Sequence, residues 1–314
     1  MGQYLIRRAL AGVLTLLVLS FLVFVIIRSM PGDPAAIMAG VDATQEQIAA
    51  TRKSMHLDEP IYAQYFSWLI TLSRGDFGVS STTLIPVITL LAQRLPVTLE
   101  LICGSMLIGT SVAFIIGFLA VVAKKRILRQ LCSLYLAVAY ATPSFWIGIL
   151  LVIVFSMTLK WFPPSGYTAF TSNFSTAVKC SVLPWLTIGI KQSAIIGRYV
   201  KFGIAEEMSA LYISVARSKG VSERAIVLHH ALRNALIPVV TVFGLQVGFF
   251  AAGAIITETI FNLPGIGRLL LYAFFARDYP ILQIVLLFVG FSFVVVGIVV
   301  DFLYGVIDPR IRYS

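Results

Sequence analysis

The chain has 314 residues, of which 59% are hydrophobic and only 12% charged. Soluble domains carry about 25% charged residues, so this composition excludes an ordinary soluble domain and fits long segments in lipid, where ionised groups are costly. The formal net charge of +10 admits either a nucleic-acid partner or the cytoplasmic excess of Lys and Arg in membrane proteins.

A helix needs about 20 apolar residues to cross the hydrocarbon core. In chain order, Ala9–Ile27 is uncharged, Val97–Ala123 carries only Glu100, and Leu131–Leu159 is uncharged. Ser181–Tyr199 contains Lys191 and Arg198, whereas Ala235–Thr257 and Ile281–Val300 are again uncharged. This predicts an all-α polytopic membrane protein with six transmembrane helices, the fourth being the weakest. The first run exceeds the 7–15 apolar residues of a signal peptide and no A-x-A-like site follows it, so a retained helix is expected. Pro143 and Pro184 are expected to kink the third and fourth spans.

Basic residues decide the orientation. Arg7 and Arg8 precede the first span, Lys124, Lys125, Arg126 and Arg129 follow the second, and Lys201, Arg217, Lys219, Arg224 and Arg233 follow the fourth. Arg310 and Arg312 close the chain. All fall on one side if both termini are cytoplasmic, so the charge reads as topology and not as nucleic-acid binding. Residues 1–28 form the N-terminus and first span, and 29–96 an extracytoplasmic subdomain with helical patterning at Thr44–Leu57 and Ile61–Leu72. Residues 97–314 form a core of five spans, with an amphipathic cytoplasmic loop at 201–234.

Catalytic chemistry is tested by elimination. No G-x-x-x-x-G-K-[ST] phosphate loop and no H-E-x-x-H occur. The histidines are His56, His229 and His230; the adjacent pair points to different sides of a helix and is a poor metal set, so no metal site and no catalytic residue are assigned. Cys103, Cys132 and Cys180 give no disulfide framework. Asp76-Phe77-Gly78 spells a kinase triplet without the other kinase signatures. A membrane enzyme is thereby disfavoured, and a transporter, channel or carrier remains.

The 201–234 loop reads as helix, turn, helix. Gly220 permits the left-handed backbone that ends a helix, Ser222 is a plausible N-cap for a second helix reaching about Asn234, and Pro238 lies just inside the next span. The plainer alternative is an amphipathic loop lying on the bilayer. The stretch Val215-Ala216-Arg217-x-x-Gly220 followed by Leu232-Arg233-Asn234-Ala235-Leu236-Ile237-Pro238 resembles the EAA loop of ABC-importer permeases. Further motifs narrow the resemblance to the peptide/nickel branch (the dipeptide/oligopeptide permease B-type family). They are Pro31-Gly32-Asp33-Pro34, Leu57-Asp58-Glu59-Pro60, Gly75-Asp76-Phe77-Gly78, Thr142-Pro143-Ser144-Phe145-Trp146, Pro264-Gly265-Ile266-Gly267, Asp278-Tyr279-Pro280 and Asp308-Pro309-Arg310-Ile311-Arg312. Each is short; in this order they cover essentially the whole chain.

The resemblance implies a type I ABC-importer permease fold in a bacterial cytoplasmic (inner) membrane, importing short peptides delivered by an extracytoplasmic binding protein. It implies a second homologous permease and two ATPase subunits or domains, which use ATP and Mg, with no cofactor on this chain. The loop residues Val215, Ala216, Arg217, Lys219, Gly220, Arg233 and Asn234 become the ATPase-coupling candidates. Val215 stands where the general motif has Glu, which rules out a salt bridge from that position. Nickel, a metal chelate or glutathione fits the same architecture, and a partner-independent channel or carrier is the competing class.

Pathway candidates follow from the bilayer. Lys191, beside Gln192, is an intramembrane charge, which faces a cavity or a partner and could draw a carboxylate; a structural hydrogen bond is its plainer role. Gly244 and Gly248 form a G-x-x-x-G, with Gly253 beyond, that permits close helix packing or a moving surface. Glu258 and Asp278 are expected at the outer face, solvated or capping, and Asp301 is expected to pair with a basic neighbour.

Overall fold

The computed structural model describes residues 2–29, 34–40, 43–54 and 57–307. The Pro31-Gly32-Asp33 part of the first motif, His56 and the terminal Asp308–Arg312 motif lie outside the described residues, as do the side chains of Arg224, His230 and Asp301. Among the described residues the chain is helical, and its β pairing is a single bridge between Val79 and Pro86. The helices are α1 (Gly2–Arg28), α2 (Pro34–Ala39), α3 (Gln45–Ser54), α4 (Ile61–Ser73), α5 (Val87–Val122), α6 (Arg126–Ala141) and α7 (Ser144–Leu151). After α7 a π-helical stretch, Val152–Thr158, leads towards α8 (Phe174–Ser209) and α9 (Leu211–Ser218). The short α10 (Glu223–Ala225) passes through a second π segment, Ile226–Ala231, into α11 (Leu232–Ile260), and α12 (Ile266–Ala276) and α13 (Tyr279–Ile307) complete the order.

Three segments cross a membrane by length and apolarity as single helices: Arg7–Arg28, Val87–Val122 and Tyr279–Val300. Two bent pairs do so together, Arg126–Ala141 with Ser144–Thr158 at 108° and Ile226–Leu236 with Pro238–Gly248 at 46°. The third expected span is therefore not one kinked helix. Thr142 and Pro143 are both extended, because proline disfavours helical geometry in the residue before it and removes a donor. The 46° bend lies at Pro238, where an interior proline clashes with the preceding turn. Pro184, by contrast, sits inside α8 without interrupting its helical run.

The sixth long helix, α8, has 36 residues, about 54 Å at 1.5 Å per residue. Its weak apolarity has a physical reason. Buried positions recur from Ala177 to Ile204 and include Thr187, Gln192 and Ser193, so α8 packs against protein where other spans meet lipid. On α1 and α5, Leu10, Leu14, Leu107 and Ile115 are more than half exposed, as lipid-facing side chains are.

Contacts divide the chain into two units, Thr98–Leu263 with the segment from Val296 onward, and Gly2–Val97 with Pro264–Val295. The division inside α5 falls one residue after a boundary at 96/97, while Pro264–Val295 groups with the N-terminal part. In the first unit Ala113 of α5, Ile196, Val200 and Ile204 of α8, and Ala235 and Val239 of α11 form a buried core. Glycines bring α5 and α8 into backbone contact: a Cβ at Gly109 would lie 2.9 Å from the Gly189 carbonyl oxygen, and one at Gly117 2.6 Å from that of Gly197.

In the second unit, Val23, Ile27, Val87, Leu269, Ile281 and Val285 belong to one apolar cluster. Tyr65 packs edge-on to Phe24 with ring centroids 5.5 Å apart and shares a 2.8 Å hydrogen bond with Ser20, fixing α4 on α1. The Gly75-Asp76-Phe77-Gly78 motif is a turn, in which Asp76 Oδ1 accepts from Gly78 N at 2.9 Å and Gly75 and Gly78 have φ of 84° and 76°. A Cβ at Gly78 would lie 3.8 Å from Pro280 Cβ, so this turn meets the Asp278-Tyr279-Pro280 motif.

Candidate functional site

The connection between α8 and α11 folds as a compact knob. Extended backbone at Ala210 separates α8 from α9. Gly220, at φ 78°, closes α9: Gly220 N donates to Arg217 O at 3.0 Å and Val221 N to Ala216 O at 3.2 Å, the paired bonds of a Schellman ending. Ser222 Oγ accepts from Ala225 N at 3.4 Å, as the sequence predicts for an N-cap. The following helix does not end near Asn234, however, but continues through the π segment into α11 and on to Ile260. No helix-breaking residue lies between Ser222 and Pro238, and Pro238 bends the run without ending it.

The knob has its own core. Ile213, Ile226 and Ala231 are fully buried and pack with Met208, Ala216 and Val221. At its root, Tyr212 Oη donates to Glu207, and Asn234 Nδ2 reaches Glu207 Oε2 at 3.3 Å and Tyr212 Oη at 3.1 Å. Burial, reinforced by the bond to Glu207, pushes the Tyr212 phenol up. Across the Gly220 turn, Arg217 Nε and Nη2 donate to Glu223 Oε1 and Oε2 at 2.5 and 3.2 Å. This fork holds the Glu223 carboxyl below the usual glutamate range and raises Arg217. Val215, Lys219 and Arg233 are exposed. The structure thus places Ala216 in the core of the knob, Arg217 in an ion pair and Asn234 in the root bonds. Glu207, Tyr212 and Glu223 join them; nothing periodic in the sequence marked those three, because their partners are set by the turn.

Lys191 lies on α8 facing the break between α6 and α7. Its Nζ donates to the carbonyls of Tyr140 and of Thr142, the latter at 3.1 Å, and sits 5.3 Å from the Tyr140 ring centroid. The break frees these carbonyls, because the extended backbone at Thr142 and Pro143 takes the Ser144 and Trp146 amides out of helical register with them. Arg198 stacks over the same ring at 4.4 Å, while Tyr135 and Ser193 share a hydrogen bond of 2.7 Å. Gln192 is buried, and its Nε2 has no hydrogen-bond partner. Gly244 packs on α13, where a Cβ would lie 2.2 Å from Val300 Cγ2, and Gly248 is buried. The α5–α8 seam had a visible signal too: Ser105, Gly109, Ala113 and Gly117 recur every fourth residue, opposite Gly189 and Gly197.

The two carboxylates expected at the outer face are not solvated. Glu258 is fully buried and accepts from Thr98 Oγ1 at 2.7 Å. Asp278 is also fully buried. Its Oδ2 accepts from Ser80 Oγ at 2.6 Å, Thr82 Oγ1 at 2.8 Å and Thr82 N at 3.1 Å, while Oδ1 accepts from Ile281 N at 3.4 Å. The capping half of the expectation holds for Asp278, since Ile281 lies in the first turn of α13; the solvated half fails for both. Partly exposed Glu100 accepts from Tyr167 Oη at 3.0 Å, and burial followed by this bond pushes the Tyr167 phenol up to about 12. Among the described residues no group of three or more His, Cys, Asp or Glu is arranged to hold a metal ion.

Long apolar helices with a helical knob between two of them define a membrane-embedded helical protein. Residues 109–313 match the family described as binding-protein-dependent transport system inner membrane component, and residues 1–102 match the N-terminal region of such components. The chain belongs to this family of ABC-importer permease subunits and is a multi-pass inner membrane protein. It is similar to a probable peptide ABC transporter permease protein of Sinorhizobium fredii, 36% identical over 313 residues and covering 100% of both chains. It is also similar to the glutathione transport system permease protein GsiC of Escherichia coli K12, 38% identical over 314 residues with 100% of both covered. A crystal structure of an amino acid ABC transporter with histidines is similar over 71% of this chain and 95% of its own, at 17% identity and a TM-score of 0.49.

Proposed function

We propose that the chain imports short peptides as one half of a pore energised by separate ATPase subunits, with the α9–α10 knob as the surface that engages the ATPase. The observation that carries this reading is the construction of the knob. It has a private apolar core, a glycine-closed turn and root bonds to the end of α8, so it can transmit a displacement to α8 and α11 as a rigid body instead of absorbing it. The basic segments support cytoplasmic termini and a cytoplasmic knob, which puts residues 29–96 and α12 on the extracytoplasmic side. A second homologous permease, two ATPase subunits or domains using ATP and Mg, and an extracytoplasmic binding protein complete the assembly.

Peptide cargo is favoured by the name of the Sinorhizobium relative, and glutathione, itself a small peptide, by that of the Escherichia relative. Val215, Arg217, Lys219 and Arg233 supply the exposed part of the coupling surface; Ala216, Gly220 and Asn234 hold its shape. Lys191 and Gln192, with Gly244 and Gly248, mark helix contacts that change when the pore alternates. Deletion of Ser209–Gly220 is expected to abolish substrate-stimulated ATPase activity in the assembled complex, measured by phosphate release with loaded binding protein. Undiminished stimulation would sink the reading.

A further inference from the structure

Two helices of the 29–96 stretch differ in kind. In ten residues α3 carries Glu46, Arg52 and Lys53 and leaves them exposed, as a helix in water does. By contrast, α4 has no charged residue among its thirteen. Its outward face is apolar as well: Tyr62, Phe66 and Ile70, one turn apart, are 67%, 59% and 52% exposed. A helix that is apolar on both faces is enclosed by protein or by lipid. Its depth is set by α1, which crosses a membrane between Arg7 and Arg28. Tyr65 Oη is 2.8 Å from Ser20 Oγ and 3.4 Å from the Leu17 carbonyl oxygen, and its ring meets those of Phe21 and Phe24. Ser20 stands eight residues before Arg28, about 12 Å below that end of the span. Packing against α13 gives the same depth, since a Cβ at Gly290, midway along Tyr279–Val300, would lie 1.9 Å from Leu19 Cδ2. Half of a hydrocarbon core is about 15 Å.

We infer that α4 is a re-entrant membrane helix whose Tyr62, Phe66 and Ile70 face rests on lipid acyl chains, in the leaflet at the Arg28 end of α1. Thirteen residues make about 20 Å of helix, too short to cross a core of about 30 Å. The chain therefore enters and leaves on one side, and the rest of 29–96 stays on the extracytoplasmic side. Lipid is the occupant because the face adjoins the exposed side of a span: Phe66 of α4 and the exposed Phe21 of α1 both lie against the Tyr65 ring. The ends of α4 also meet the demand that backbone groups find partners without water. Pro60 brings no N–H to its start, and Gln64 Nε2 donates to the carbonyls of Leu57 and Glu59 at 3.2 and 2.7 Å. At its other end Arg74 N donates to Ile70 O at 3.2 Å, and the Thr71 and Ser73 hydroxyls turn back onto Ser67 and Ile70. Charged residues flank the helix, Asp58 and Glu59 before it and Arg74 after it. The helix thereby ties the extracytoplasmic subdomain to the bilayer, whatever the cargo.

The test places a spin label at Phe66→Cys, in a chain also carrying Cys103→Ser, Cys132→Ser and Cys180→Ser, within the assembled transporter in liposomes of phosphatidylethanolamine and phosphatidylglycerol. Collision with oxygen, which concentrates among acyl chains, is compared with collision with a water-soluble nickel chelate. Leu22→Cys on α1 is the lipid reference and Gln45→Cys on α3 the aqueous one, both positions being exposed. The oxygen-to-nickel ratio at Phe66→Cys is expected to approach that of Leu22→Cys and to stand several-fold above that of Gln45→Cys. A ratio like that of Gln45→Cys puts α4 in water and overturns the inference. Low access to both reagents shows the face covered by protein, such as the second permease, and overturns it equally. If the cysteine-replaced chain does not assemble, Phe66→benzoylphenylalanine in the otherwise unmodified chain reads the same contact on irradiation. Lipid adducts found by mass spectrometry are then expected, and crosslinks to a partner subunit, or no adduct, overturn the inference.

Discussion

The Arg217–Glu223 pair and the Asp278 cluster are both charged arrangements at turns, but their surroundings are opposite. Arg217 and Glu223 have side chains 49% and 60% exposed, whereas Asp278 is fully buried among four donors. Water competes for an exposed pair and salt screens it, so such pairs contribute little. A buried carboxylate that collects donors cannot be removed without leaving those donors unmet. The knob therefore owes its rigidity to Ile213, Ile226 and the Gly220 turn, and the hairpin at residues 78–87 owes its place to Asp278.

The most damaging substitution should be Asp278→Ala, which orphans Ser80 Oγ, both Thr82 donors and Ile281 N. A loss of about 3 kcal/mol or more is expected, read as a lower thermal midpoint of the detergent-extracted protein. A midpoint like that of the unmodified chain would erase the contrast. Next, Ile213→Ala opens a cavity in the knob at about 2–4 kcal/mol, and hydrogen exchange across residues 211–231 should accelerate while α5 stays protected. Gly220→Ala costs about 1–2 kcal/mol, because the left-handed backbone brings a Cβ against the following carbonyl, and the same amides report it.

Arg217→Gln should give the smallest effect, with no resolvable change in thermal midpoint at physiological salt. Its pH dependence has a definite sign. The Glu223 carboxyl is held below its ordinary value, so its contribution is present above the unfolded glutamate range and is lost as pH falls through the folded value. Protection factors in α9, corrected for the intrinsic pH dependence of amide exchange, should fall slightly on acidification in the unmodified chain and stay flat in Arg217→Gln. A marked destabilisation by Arg217→Gln at neutral pH would show the exposed pair to be the stronger of the two.

Much of the knob was legible in sequence because its determinants are local. Gly220 and Ser222 act within a few residues of themselves, and the structure places a left-handed turn and an N-cap there. Glu258 and Asp278 misled because their partners, Thr98, Ser80 and Thr82, lie 160 to 198 residues away in the chain. A charge at the end of an apolar run looks solvated until those partners are in place. Pro143 was visible as a disturbance, but not that Thr142 and Pro143 together turn the chain by 108° and hand two carbonyls to Lys191.

The sequence alone determined the helical class, the long apolar segments, the basic side and the helix–turn–helix of the knob, because lipid and backbone geometry impose those requirements on consecutive residues. Only the tertiary structure decided which polar groups are buried. Packing α8 inside the first unit made its weak apolarity tolerable, and packing α4 on α1 put the Tyr65 hydroxyl against Ser20. Burial and pairing depend on residues distant in the chain, and no local pattern encodes them.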